Sequence, residues 1–157
     1  MEICIDFDGT CVTHEFPKVG KDIGAVPVLK RLIEHGHNLI LFTMRSDIDN
    51  PKSEEYGIIP KGGKYLTDAV NWFKENGIEL YGINKNPNQQ GWTLSPKAYG
   101  QLYIDDAALG CPLKQDYKDD PDPKWNDVVR DGRPYVDWEA VEHHLTAMGL
   151  FPEPIKN

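Results

Sequence analysis

The sequence has 157 residues, 25 acidic against 17 basic, for a formal net charge of −8 at pH 7. That length is enough for a single domain with its own core, and the acidic balance argues against a protein that grips nucleic acid through a basic footprint. Cys4, Cys11 and Cys111 follow no metal-ligand spacing, which sets aside zinc and a disulfide framework and predicts free thiols in a reducing compartment.

In chain order, Ile3, Cys4 and Ile5 read as a short buried strand. Asp6 and Asp8 stand at its end, followed by Gly9 and Thr10. Residues two apart in an extended chain share a side, so both carboxylates are expected to face one spot while Phe7 turns inward. Two like charges held together cost free energy unless a cation or a reaction uses them. The stretch "GTCVTHEFPKVGKDIG" reads as a hairpin or flap. "AVPVLKRLIEHG" reads as a helix, with Pro27 in its first turn, Val26, Leu29 and Ile33 on one face, and Gly36 as its stop. "NLILFT" is a second buried strand ending at Thr43, and residues 44–63 form a loop broken by Pro51 and Pro60. A second helix runs through "KYLTDAVNWFKENG", where Leu66, Ala69, Val70 and Phe73 fall at helical spacing.

"IELYGIN" is a third strand, and "KNPNQQGWTLSPKAYG" is a loop with one helical turn. "QLYIDD" is a fourth strand that again ends in acid. Residues 111–135 are acidic and proline-punctuated, hence irregular. "DWEAVEHHLTAMG" closes as a helix capped by Asp137, with Trp138, Val141, Leu145 and Met148 inward. No signal-peptide pattern and no run of about 20 apolar residues is present, so a cytoplasmic location without a membrane partner is expected.

Short apolar strands alternating with helices predict an α/β fold, a Rossmann-like parallel sheet with helices on both faces. The whole of 1–157 is read as one domain, with the motifs inside 1–110. Ligands of such sheets bind outside the carboxyl ends of the strands, where Asp6, Asp8, Thr43, Asp105 and Asp106 would meet. Carboxylates without His or Cys make a hard-oxygen site suited to Mg²⁺. A carboxylate can also attack phosphorus, a second can move protons, and a lysine can neutralise the transferring group.

"DFDGT", "LFTMRS" and "SPKAYGQLYIDD" together resemble the motifs of the haloacid dehalogenase superfamily of phosphotransferases. The resemblance implies Asp6 as nucleophile and Asp8 as general acid/base, with Lys97 as the stabilising lysine. It implies Thr43, Met44 and Lys97 at the phosphoryl group, and Asp6, Asp8 and Asp105 around Mg²⁺. Lys85 in "GINKNP" stays an alternative to Lys97, which is preferred because it leads into the metal-binding strand. The intervals are too short for the cap domain of larger members, which implies an open site unless the 46–64 loop, the C-terminal tail or a second subunit covers it; the oligomeric state stays open.

The expected activity is a Mg²⁺-dependent phosphomonoester hydrolase acting through a phospho-aspartate on a small phosphorylated substrate. An end-processing phosphatase on a polynucleotide, disfavoured by the charge, and a non-catalytic binding or regulatory module are the alternatives. Asp106 is left open between ligand and turn residue, and Arg45 and Ser46 between substrate contact and surface salt bridge. His14 is set aside as a flap residue, Trp92 and Tyr99 are assigned to packing, and His143 and His144 to a solvated helix face.

Overall fold

The structure is a computed structural model that describes residues 1–49, 62–115 and 133–151. Its elements are β1 (Glu2–Ile5), α1 (Ala25–Glu34), β2 (Asn38–Leu41), β3 (Asp47–Ile48), β4 (Gly63–Lys64), α2 (Tyr65–Glu75), β5 (Gly82–Ile83), β6 (Leu102–Ile104), β7 (Leu113–Lys114), β8 (Tyr135–Val136) and α3 (Trp138–Ala147). The main sheet has four parallel strands in the order β5-β2-β1-β6. The chain runs from β1 outward to β2 and β5, then crosses back to β6 on the other side of β1. The crevice between the ends of β1 and β6 is therefore the topological switch point, the place where open α/β sheets bind ligands.

Register fixes which side chains share a face. Ile3 pairs with Leu39 and Leu102, and Ile5 with Leu41 and Ile104. Ile3, Ile5, Leu39 and Leu41 point into one core with Val28, Leu29 and Leu32 of α1, Ala69 and Phe73 of α2, and Trp138, Val141 and Leu145 of α3. All three helices among the described residues thus cover the same face, which corrects the expectation of helices on both. The opposite face carries Cys4 and Ile40, packed with Ala98 and edged by Phe42, Tyr81 and Tyr103.

Its cover is the irregular segment leading into β6, which contains one 3-10 turn at Gln89–Gly91. Two buried amides replace the hydrogen bonds a helix would have supplied. Gln89 accepts from the N–H of Asn86 and of Tyr99 and donates to the carbonyls of Ser95 and Lys97. Asn86 donates to the carbonyl of Tyr99 and accepts from the N–H of Asn88. Gly100 lies so close to β1 that a Cβ there would stand 2.7 Å from the Cys4 sulfur.

Other boundaries follow from caps. The third strand shrinks to Gly82–Ile83 because Ile78 is used to close α2, its N–H bonding the carbonyl of Phe73 beyond Gly77 at φ +70°. In α1 the buried stripe is Ala25, Val28, Leu29 and Leu32, with Val26 and Ile33 at its margin. Asp137 caps α3 as expected, accepting from the N–H of Ala140. Met148, expected inward, is 53% exposed. Gly149 at φ +81° reverses the chain, Leu150 bonds back to the carbonyl of Leu145, and Leu150 and Phe151 fill the core instead.

The pairs β3–β4 and β7–β8 are antiparallel; most of the 46–64 loop and of 111–135 lies outside the described residues. Cys4, Cys11 and Cys111 are unpaired, and burial pushes all three thiols up in pKa. No helix among the described residues is long and apolar enough to cross a membrane.

Candidate active site

The peptide after β1 still belongs to the sheet, with the N–H of Asp6 donating to the carbonyl of Ile104. Beyond it the chain folds tightly: the carbonyl of Phe7 accepts from Thr10, Cys11 and Val12, and Gly9 takes φ +78°. Gly9 is required twice over, since its conformation disfavours a Cβ and a Cβ would sit 1.9 Å from Nε2 of His14.

Asp6, Asp105 and Asp106 each bring a carboxylate oxygen to one place, all within 4.8 Å of one another. Asp105 is held by a turn in which its Oδ1 accepts from Ala107 and its carbonyl from Ala108. The Thr10 hydroxyl lies 3.1 Å from Asp6 Oδ2 and 3.3 Å from Asp106 Oδ1, and it accepts the N–H of Asp106. Nε2 of His14 stands 2.9 Å from Asp106 Oδ2.

Burial, opposed by the N–H of Phe7 and reinforced by the charges of Asp105 and Asp106, pushes Asp6 up to about 8. Burial also acts to raise Asp106, but the hydrogen bond and charge of His14, together with a hydrogen bond to Asp6 and the charge of Arg133, hold that carboxyl below its ordinary value. A trio of oxygens from two strand ends, one of them held from ionising by burial and by its acidic neighbours, could hold a divalent cation. The donors are all hard oxygens, as Mg²⁺ prefers, and with ligands at about 2.0–2.1 Å they would draw together slightly to share one coordination shell.

Asp8 is not in this group. The turn after Phe7 delivers its carboxylate to Arg45, whose Nε donates to Oδ2 at 2.7 Å and whose Nη2 donates to Oδ1 at 2.8 Å. The Arg45 side chain is only 1% exposed and that of Asp8 18%. The other three N–H groups of the guanidinium go to the carbonyls of Pro17, Lys18 and Tyr65, and it lies 5.1 Å from the ring centroids of both Phe7 and Phe16. Arg45 is therefore a buried joint between the motif turn, the flap and the start of α2, rather than a surface charge or an open substrate contact.

Thr43 stands one strand over from the acids. Its N–H donates to Oδ1 of Asn84 and its hydroxyl accepts the N–H of Arg45. Asn84, at the end of β5, holds φ +53°, a conformation rare outside glycine. Met44 beside it is 98% exposed. The Lys97 ammonium lies 5.1 Å from the Tyr103 ring centroid, and no bond from it to the acids occurs among the described interactions. Lys85 is exposed and directly follows Asn84 at the carboxyl end of β5. Trp92 and Tyr99 pack edge to face on each other, with Trp92 largely exposed.

Sequence reasoning put Asp6, Asp8, Thr43, Asp105 and Asp106 at this edge, but set His14 aside and missed Asn84 and the burial of Arg45. The signals were faint: an arginine two residues past a strand-end threonine, and a histidine six residues after the second aspartate of the strand-end pair.

No protein-family model matches the chain, and no curated protein matches it. Among solved structures, a conserved protein from Bacteroides thetaiotaomicron is similar, at 28% identity and a TM-score of 0.63, over 94% of this chain and 91% of that one. The likeness supports the α/β architecture over nearly the full length of both chains.

Proposed function

We propose that this chain is a Mg²⁺-dependent phosphomonoester hydrolase of the haloacid dehalogenase type, without a large cap, that works through a phospho-aspartate on Asp6. The observation that carries the reading is the meeting of Asp6 with Asp105 and Asp106 at the switch point. Mg²⁺ held there by Asp6, Asp105 and Asp106 would screen the repulsion between an anionic nucleophile and an anionic phosphoryl group. The elevated pKa of Asp6 makes that positive charge a condition for a nucleophilic carboxylate at neutral pH.

In this reading an oxygen of Asp6 attacks phosphorus, the new O–P bond forms and the bond to the leaving oxygen breaks. Water then attacks the same phosphorus, gives its proton to Asp8, and releases inorganic phosphate and free Asp6. The fork of Arg45 leaves each Asp8 oxygen a free lone pair for that proton. Protonated there, Asp8 can return the same proton to the leaving oxygen of the next substrate. In this reading Thr43 and Met44 hold phosphoryl oxygens, and Lys97 is the lysine assigned to neutralise them.

The test is hydrolysis of an aryl phosphate and of a panel of small phosphorylated metabolites, with Mg²⁺ and with chelator. Turnover is expected only with Mg²⁺ and is abolished in Asp6→Asn. Turnover that survives this substitution overturns the mechanism, and Mg²⁺ binding without turnover on any compound favours a non-catalytic module.

A further inference from the structure

We infer that Arg45 is a positioning residue: it holds Asp8 at the angle from which that carboxylate serves the hydrolysis of phospho-Asp6, and it ties this angle to the flap and to the start of α2. The inference rests on the phosphatase reading and adds a residue that reading does not require. Every donor of the guanidinium is used, two on Asp8, two on the flap carbonyls of Pro17 and Lys18, and one on the carbonyl of Tyr65. Phe7 and Phe16 flank it. A planar fork so saturated has one orientation, and it passes that orientation to the carboxylate through two parallel bonds. Lysine retains the charge but not the fork.

The two half-reactions separate this role from mere support of the fold. An aryl leaving group departs from phosphorus without a proton donor, so formation of phospho-Asp6 does not need Asp8, whereas attack by water does. With an aryl phosphate and Mg²⁺, Arg45→Lys is expected to keep a rapid release of one phenol per site at a rate within a few-fold of wild type. Its steady turnover falls by about 100-fold, the scale of a displaced general base. Burst amplitude counts the folded sites, so partial unfolding does not mimic the result.

Asp8→Glu, which leaves Arg45 in place and moves the carboxylate by one methylene, is a second variant for the case in which Arg45→Lys does not fold. It is expected to show the same split. Burst rate and steady rate falling together, or neither changing, overturns the positioning role. A wild-type protein with no Mg²⁺-dependent phenol release overturns the phosphatase reading itself, and this inference with it.

Discussion

Asp6 and Asp8 are two residues apart in one motif, yet neutralising them is expected to move stability in opposite directions. Asp6 ionises in the unfolded chain near 3.8 and in the folded chain near 8. Below 3.8 it is protonated in both states and contributes nothing. Between 3.8 and 8 the folded state retains a proton the unfolded state has lost, so stability falls as pH rises, and above 8 the loss is complete. At pH 7 the ionisation is held off by about three pKa units at about 1.4 kcal/mol each, or about 4 kcal/mol in metal-free protein. Solvent screening at a carboxylate that is not fully buried, and its coupling to Asp106, reduce this to about 1–3 kcal/mol.

Asp6→Asn removes that penalty and retains an acceptor for Thr10. In chelator at pH 7 the melting temperature is expected to rise by about 2–4 °C per kcal/mol recovered. Asp8→Asn instead leaves a guanidinium that is 1% exposed without its counter-ion, a change that typically costs about 3–5 kcal/mol and lowers the melting temperature by about 6–20 °C. Thermal unfolding followed by circular dichroism measures both. Equal destabilisation by the two substitutions would refute the account of Asp6 as a carboxylate disfavoured by burial and acidic neighbours, and a neutral Asp8→Asn would refute the buried pair.

Metal-free wild-type protein is expected to lose stability from pH 4 to pH 8 on account of Asp6. The opposite trend, from Asp106, is confined to below 3.8, because that group's folded pKa is lowered; urea titrations across the range, repeated with Mg²⁺, should show the upper slope flattened by the ion. His14→Ala is expected to weaken Mn²⁺ binding, read by electron paramagnetic resonance, by about 10–100-fold, the usual effect of removing a partner that orients a metal-binding carboxylate. Unchanged affinity would show that Thr10 alone fixes Asp106. Lys97→Ala is expected to lower kcat/KM by about 100-fold or more, with Lys85→Ala within a few-fold of wild type; the reverse ranking would assign the role to the lysine beside Asn84.

What could be read from the sequence was whatever local pattern encodes. The strands at Ile3–Ile5, Asn38–Leu41 and Leu102–Ile104 and the cap at Asp137 follow from residues a few positions apart, and the convergence of acids follows from parallel topology. Arg45 was ambiguous because its partner lies 37 residues earlier and its other partners are carbonyls, which no side-chain pattern reveals. His14 was discounted for the same reason, its carboxylate partner being 92 residues away. Among the described residues the second face has no helical layer: apolar strands announce that both faces are covered, not by what. Gln89 and Asn86 do that work with side-chain amides, and in sequence they look like ordinary loop residues.

The strand order has a consequence for how the molecule is made. β1 has no neighbour close in sequence: its partners are β2, whose pairing begins at Asn38, and β6, at Leu102–Ile104. Contacts so distant along the chain slow folding. During synthesis at about 5–20 residues per second, Asp6 emerges several seconds or more before Asp105 and Asp106 do. Until then the apolar strand Ile3–Ile5 has only one edge it can pair. The cation site therefore cannot pre-exist the nearly finished sheet, and an ion bound there would act late, as a clasp on a completed fold rather than as a nucleus for it.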